Sequence, residues 1–152
     1  MKGITLVVAL FGLAGLLAAA DPSTGTWKMN VEISKIKPGP APKSVTATYS
    51  EDGDWIVIKT EGVDAAGKPI ARTNRVKRDG KEYPFEGPNG QGKISIKKID
   101  DYHSEATVKL DGGGTVTTRT VISKDGKTRT QTSKGTNAKG EKVDSIAVFE
   151  RQ

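Results

Sequence analysis

The sequence has no cysteine and only one histidine, His103, among its 152 residues. Thiol catalysis needs a cysteine, and the usual zinc sites need several cysteine or histidine ligands, so both are excluded. His103 has the opposite parity from Tyr102 and Ser104 in an alternating run, so we expect it to be exposed and outside any catalytic triad. The sequence therefore predicts no enzymatic activity, no metal site and no cofactor.

The sequence also lacks helical periodicity after residue 20. Apolar and polar residues alternate at period two instead, and turn signals such as Asp52-Gly53, Asp79-Gly80 and Asn89-Gly90 separate the runs. This pattern predicts a meander of short antiparallel strands, which exposes two sheet edges unless it closes. We therefore expect an all-β fold, an antiparallel up-and-down β-barrel of about 8–10 strands, with a two-sheet sandwich as the alternative.

A single long apolar run, Ile4 to Leu17, follows the positively charged start of the chain. Small residues at Ala18–Ala20 precede Asp21, as at a secretory cleavage site. A membrane helix, the alternative, needs a longer span and usually positive charge after it. We therefore expect residues 1–20 to be a signal peptide and residues 21–152 a single domain, secreted or periplasmic.

Basic residues exceed acidic ones, with 24 Lys and Arg against 18 Asp and Glu, and the two kinds are interleaved as on a solvated β surface. Nucleic acid is a poor partner for an exported chain, whereas an acidic ligand or anionic lipid is compatible with this charge. We expect a monomer without a transmembrane segment in residues 21–152.

One part of the sequence occurs twice, 73 residues apart. Ser50–Gly53 recurs as Ser123–Gly126, and Gly62–Gly67 recurs as Gly135–Gly140. Each copy predicts a strand, a tight turn, a strand, a longer loop and a third strand. Duplication and convergence on common turn sequences both explain the repeat and predict the same architecture.

Turns at the Asp-Gly and Asn-Gly pairs also predict which residues face each other. The expected neighbours are Tyr49 with Ile56, Ile58 with Ile70, Val76 with Tyr83, Tyr83 with Ile96, and Ile122 with Arg129. In each pairing the apolar residues fall on one continuous face, as a half-buried sheet requires.

The opening Gly25-Thr26-Trp27, the meander and the closing Ala147–Arg151 resemble the lipocalin and fatty-acid-binding-protein superfamily. Ser123–Lys127 and Gly135–Gly140 bring the chain closer to small secreted bacterial lipocalin-like proteins. The resemblance implies a barrel with an internal cavity for a small apolar or amphipathic molecule. It also implies that Trp27 closes the base of the barrel beneath Arg151.

The chain departs from fatty-acid-binding proteins in two places. Those proteins have a two-helix lid after the first strand, whereas Val31–Lys43 is short and Pro-rich, so no helical lid is expected. Their last strand carries an Arg-x-Tyr pair that grips a carboxylate, and Ala147 and Phe149 stand at the aligned positions. Fatty-acid binding in that mode is therefore not expected.

Four polar residues have the same parity as the apolar face: Arg72, Asn74, Arg129 and Gln131. A cation in a filled core would cost several kcal/mol unless paired, whereas in a solvated cavity it can orient an anionic group. A register slip of one residue would send the four to the surface instead. The expected ligand-binding residues are Tyr49, Ile56, Ile58, Arg72, Asn74, Tyr83, Phe85, Ile94, Ile96, Arg129 and Gln131, with Arg72 meeting the acidic end of the ligand.

These features favour a binding protein for a small apolar or amphipathic ligand held in a barrel cavity. Aromatic residues make up only 5% of the chain, which is few for a solidly filled barrel. The alternative is a protein-binding envelope module, such as a barrel-type inhibitor, whose interior is packed and whose loops contact the partner.

Export is the first testable consequence. N-terminal sequencing of protein recovered outside the cytoplasm should begin at or near Asp21, because the apolar run and the small residues before Asp21 fit signal cleavage. Recovery of intact protein beginning at Met1 from the cytoplasm would contradict this prediction.

Overall fold

The computed structural model describes residues 19–152, and ten β-strands account for most of them. The predicted signal peptide falls almost entirely outside the described residues. The strands are β1 Gly25–Met29, β2 Ser44–Asp52, β3 Trp55–Val63, β4 Pro69–Val76, β5 Asp79–Gly87, β6 Gly90–Lys98, β7 His103–Leu110, β8 Thr115–Ile122, β9 Thr128–Thr136 and β10 Lys142–Arg151.

All ten strands belong to one antiparallel sheet in the order β4-β3-β2-β1-β10-β9-β8-β7-β6-β5. Strand β1 pairs with β2 on one side and with β10 on the other, so the two ends of the chain meet in the wall. Strands β4 and β5 lie side by side without a backbone ladder. The all-β, up-and-down barrel is therefore confirmed, and it is closed everywhere except along this seam.

No helix is found in residues 19–152, and none of the described elements is a helix long and apolar enough to cross a membrane. The segment between β1 and β2 carries no helical lid. It continues along β10 instead, where Lys35 and Ile146 exchange two backbone hydrogen bonds of 2.7 Å.

Side chains alternate between the two faces of the wall as the sequence predicts. In β3, Ile56 and Ile58 are buried, whereas Lys59 and Glu61 are exposed. The inward parity is correct in every strand that carries a predicted site residue. The one-residue slip that was the alternative does not occur in these strands.

The predicted cross-strand partners are mostly displaced by an even number of residues. Tyr49 faces Ile58 instead of Ile56, because Gly53 has a positive φ of 59° while Asp52 does not. The two-residue turn is therefore Gly53-Asp54, with glycine at its first central position as in a type II′ turn. Elsewhere Tyr83 faces Ile94 instead of Ile96, and Ile58 faces Asn74 instead of Ile70. The pairing of Ile122 with Arg129 is confirmed.

The predicted hairpin between Val76 and Tyr83 is wrong, because no ladder joins β4 to β5. The side chain of Asn74 crosses the seam instead. Its Nδ2 donates to the carbonyl of Glu86 at 2.9 Å, and the Glu86 N–H donates to its Oδ1 at 2.9 Å. One side-chain amide thus replaces a backbone pair at this point of the wall.

The sequence repeat corresponds to two hairpins with the same register. Gly62 of β3 faces Ile70, and 73 residues later Gly135 of β9 faces Val143. The loops also match: Asp64 and Asn137 each accept a backbone hydrogen bond from the fourth residue on, at 2.8 and 3.0 Å. The turns that precede these hairpins differ, so the structural repeat is confined to β3–β4 and β9–β10.

Trp27 closes one end of the barrel, which we call the base. Its side chain is fully buried, and the Arg151 guanidinium lies 4.2 Å above the ring centroid. Arg151 also donates to the carbonyls of Pro22, Thr24 and Gly126. Trp27 and Arg151 therefore take the positions that the superfamily resemblance implies.

Replacing Trp27 with alanine should destabilise the fold by about 3–5 kcal/mol, as for truncation of a large core aromatic. The free energy of unfolding in urea measures this loss. Trp55→Ala is the matched control, because Trp55 is only half-buried on the outer face of β3 and should lose less. A loss below about 0.5 kcal/mol for Trp27→Ala would show that the ring does not close the base.

Asn74→Ala should cost about 1–3 kcal/mol of unfolding free energy, since it leaves the N–H and C=O of Glu86 without their partner at the seam. Thr73→Ala, on the outer face of the same strand, should change stability by no more than about 0.5 kcal/mol. Equal losses in the two variants would contradict the bridging role of Asn74.

Candidate functional site in the barrel interior

The buried apolar residues of the barrel form three clusters. The first contains Ile56, Ile58, Val76, Ile94 and Ile96, the second is centred on Trp27 and Phe149, and the third on Leu110 and Val143. The clusters are connected only through partly exposed side chains. Tyr49 contacts the first and second clusters, and Val108 contacts the first and third. A solid core usually forms one contiguous cluster, so this interior is not uniformly packed.

Small and polar residues separate the clusters. The inward set includes Thr60, Thr118, Gln131, Ser133 and Ala147, all of which are half-buried. The four consecutive residues Thr130–Ser133 of β9 are each half-buried, although they alternate between the two faces. Solvent therefore reaches both faces of the wall along this strand.

All eleven predicted ligand-binding residues share the inward parity, but the Tyr83 ring packs edge-on against Trp55 of the outer face, with centroids 5.3 Å apart. Ile56, Ile58, Ile94 and Ile96 are buried together, with Tyr49, Tyr83 and Phe85 packed against them. The Tyr83 hydroxyl donates to the Asp79 carboxylate at 2.7 Å. The Asn74 amide is already hydrogen-bonded to the backbone of Glu86 across the seam, so in this structure it links β4 to β5.

Arg129, on β9, is the most unusual side chain of the interior. The residue is only 6% exposed, and its guanidinium carbon lies 3.9 Å from the centroid of the Tyr49 ring. Its Nε and Nη1 atoms are buried without a hydrogen-bond partner among the described residues. Burial lowers the pKa of Arg129, yet a guanidinium stays protonated at neutral pH. The barrel thus holds a cation that has cation–π contacts but no bonded anion.

Arg72, the cation to which the sequence assigns the acidic end of the ligand, has different surroundings. Its side chain is 21% exposed, and its Nε lies 3.8 Å from a carboxylate oxygen of Glu86. Its charge is therefore both solvated and partly compensated. Arg129 is neither solvated nor paired with a carboxylate among the described residues.

A cavity of about 40 Å³ adjoins Arg129 toward the base. Five predicted residues line it, namely Tyr49, Ile56, Ile58, Ile96 and Arg129. Thr120, which is buried, also faces the cavity and accepts a long 3.5 Å hydrogen bond from the Gln131 amide. The site thus combines an apolar wall with one cation and one hydroxyl.

The mouth of this cavity is lined by charged groups that bond to one another. The Asp21 carboxylate lies 2.6 Å from Arg78 and 3.2 Å from Lys98, and it accepts hydrogen bonds from Ser23. Partial burial raises the pKa of Asp21, but the Ser23 bonds and the two cations outweigh that effect and hold the pKa below its usual range. Lys98 also contacts Asp101 at 2.8 Å.

The predicted exposure of His103 is found, but the residue is not isolated. Its Nδ1 lies 2.8 Å from the Asp100 carboxylate in the β6–β7 turn, and this hydrogen bond lowers the pKa of Asp100. Within residues 19–152, no group of three His, Cys, Asp or Glu side chains is placed to hold a metal ion.

Sequence reasoning did not select Asp21, Arg78, Lys98 or Thr120 as site residues. The first three lie at strand ends or in connecting segments near the base, where period-two alternation says little about direction. Thr120 shares the inward parity of Ile122 in β8, so the alternation itself was a signal that could have identified it.

Comparison with protein-family models finds no match to the chain, and comparison with curated protein sequences finds none either. Solved structures do match. A Schistosoma mansoni fatty acid binding protein in complex with arachidonic acid is 18% identical, with a TM-score of 0.61, over 86% of this chain and 96% of that one.

Two further structures match over a similar length. A secretory abundant heat soluble protein of Ramazzottius varieornatus is 11% identical, with a TM-score of 0.63, over 87% of this chain and 96% of its own. The zebrafish ileal bile acid-binding protein complexed with cholic acid is 15% identical, with a TM-score of 0.53, over 86% and 99%. The chain therefore has the barrel fold of the fatty-acid-binding and lipocalin-like proteins.

Proposed function

We propose that this protein binds a small amphipathic anion inside its barrel, with Arg129 meeting the acid group of the ligand. The observation that carries the proposal is the buried guanidinium whose Nε and Nη1 have no partner among the described residues. Removing a cation from water without a counter-charge costs several kcal/mol. A protein that needed only a stable barrel would gain by having an apolar residue at this position.

A ligand carboxylate would supply the missing counter-charge. Charge-assisted hydrogen bonds to a buried guanidinium are each worth about 1.5–3 kcal/mol, and they are stronger where water is excluded. Tyr49 already holds the guanidinium from one face at 3.9 Å, so little side-chain freedom remains to be lost on binding.

The apolar body of the ligand has matching surfaces in the wall. The isoleucine cluster of β3 and β6 lies beside Arg129, and between the packed clusters several inward residues of β7 to β10 are small or polar and only half-buried. Tyr83 and Phe85 extend the isoleucine cluster along β5. An apolar group entering this space would bury its surface against these side chains at roughly 25 cal/mol per Å².

The comparison structures lend support of a general kind. Two of these proteins of the same fold are complexes with an acid, arachidonic acid in one and cholic acid in the other. In this chain Ala147 and Phe149 occupy the positions of the last strand where fatty-acid-binding proteins carry an Arg-x-Tyr pair. The proposed anchor lies on the preceding strand, β9, instead.

We further propose that the protein acts outside the cytoplasm, as a secreted or periplasmic binding protein without catalytic activity. The apolar run and the small residues before Asp21 support this location, and the lack of a cysteine nucleophile supports the non-catalytic role.

Titration with an anionic naphthalene-sulfonate dye tests the proposal, because the fluorescence of the dye rises in an apolar pocket. Arg129→Met should weaken binding about tenfold or more, since it removes a charge-assisted bond while keeping most of the side-chain volume. Its unfolding free energy should stay equal or rise, because the substitution removes an uncompensated buried charge. Arg72→Met should have a smaller effect on affinity.

Arg119→Met is the matched control for the loss of positive charge. Arg119 is 77% exposed on the outer face of β8, where it pairs with Glu105, so its loss should leave dye affinity unchanged. No dye binding by the wild type, or equal binding by wild type and Arg129→Met, would overturn the proposal in favour of a protein-binding module.

A further inference from the structure

The cavity beside Arg129 has a size that suits something smaller than the proposed ligand. Its volume is about 40 Å³, above the roughly 10–15 Å³ that one water needs and well below the roughly 150 Å³ of a dry cavity that binds benzene. It therefore has room for a few water molecules or one compact ion, and not for an apolar body. We propose that this cavity is a binding site for one compact monovalent inorganic anion, represented by chloride, held by the guanidinium of Arg129.

The charges around the cavity support an anion at this position. Three cations line it, Arg78, Lys98 and Arg129. Arg78 and Lys98 share the Asp21 carboxylate, and Lys98 also has Asp101. The remaining acid, Asp100, is bonded to His103. Every carboxylate at the mouth is thus engaged elsewhere, and Arg129 is the cation left without a counter-ion in this part of the described chain.

The chemistry of the lining favours a halide over an oxyanion such as phosphate. Ile56, Ile58, Ile96 and Ile122 line the cavity, and Tyr49 covers one face of the guanidinium. Ser23, Arg78, Lys98 and His103 also line it, but each is bonded to Asp21, Asp100 or Asp101. The donors left free include the guanidinium of Arg129 and the Thr120 hydroxyl, which accepts from Gln131 and so keeps its own hydrogen free. A phosphate carries four oxygens that each need a donor or water. A chloride is satisfied by fewer donors and tolerates apolar neighbours better.

An anion at this site has a consequence for the proposed function. The acid group of an amphipathic ligand and a chloride ion would use the same N–H groups of Arg129, so only one can be bound at a time. Chloride therefore becomes a competitor of the ligand, and the apparent ligand affinity falls as chloride rises. This consequence rests on the proposed function, whereas the anion site itself does not.

Chloride-35 NMR detects the site directly, because exchange with a protein-bound ion broadens the resonance of free chloride. Wild type should broaden the signal, Arg129→Met should abolish the excess broadening, and Arg119→Met should retain it. Thr120→Val offers a second variant that keeps the guanidinium, and it should weaken binding by several-fold. Equal broadening by wild type and Arg129→Met would overturn the proposal.

Thermal unfolding at constant ionic strength is an independent test of chloride binding. Exchanging sodium gluconate for sodium chloride should raise the melting temperature of wild type in a saturable way, and it should leave that of Arg129→Met unchanged. Equal melting temperatures of wild type in the two salts would contradict a chloride site.

The dye titration keeps the two proposals separate. Chloride binding without dye binding would support the anion site and reject the amphipathic ligand. Dye binding that is unaffected by chloride, in a protein that does not broaden the chloride signal, would reject the anion site alone. Dye affinity that falls with chloride in wild type, but not with gluconate, would support both.

Discussion

The structure depends on the double pairing of β1. This five-residue strand is hydrogen-bonded to β2 along one edge and to β10 along the other, which brings the start and the end of the domain into one continuous wall. Without it, the sheet would separate into two pieces, β2–β4 and β5–β10, each with two exposed edges. Trp27 and Arg151 lie on these two paired strands, so the contact that seals the base also secures the closure.

Closing ten strands around so few large side chains has a physical cost. Several inward positions of β7 to β10 carry Ser, Thr, Ala or Gln, and these residues cannot meet across the barrel as larger aliphatic ones would. The resulting interior has apolar clusters separated by small and polar side chains. Such an interior is compatible with the proposed binding of a small ligand.

Alternation at period two was enough to predict the fold and the inward residues, because parity survives any even displacement of a strand. It could not predict exact partners: at the β2–β3 turn, only Gly53 of the Asp-Gly pair adopts a positive φ, and Tyr49 therefore meets Ile58. Nor could it distinguish Arg72 from Arg129. Both are inward, and the presence of Glu86 near one and of Tyr49 over the other depends on three-dimensional packing.

The seam between β4 and β5 has a consequence for local motion. Backbone groups along these two edges lack ladder partners, and the Asn74 amide bridges them at one residue, Glu86. Amide hydrogens there should exchange with solvent sooner than those of the β9–β10 ladder, and the wall should part along this line before any other. Because the two open edges face each other, neither is presented to a second chain, so this mobility comes without an exposed template for aggregation.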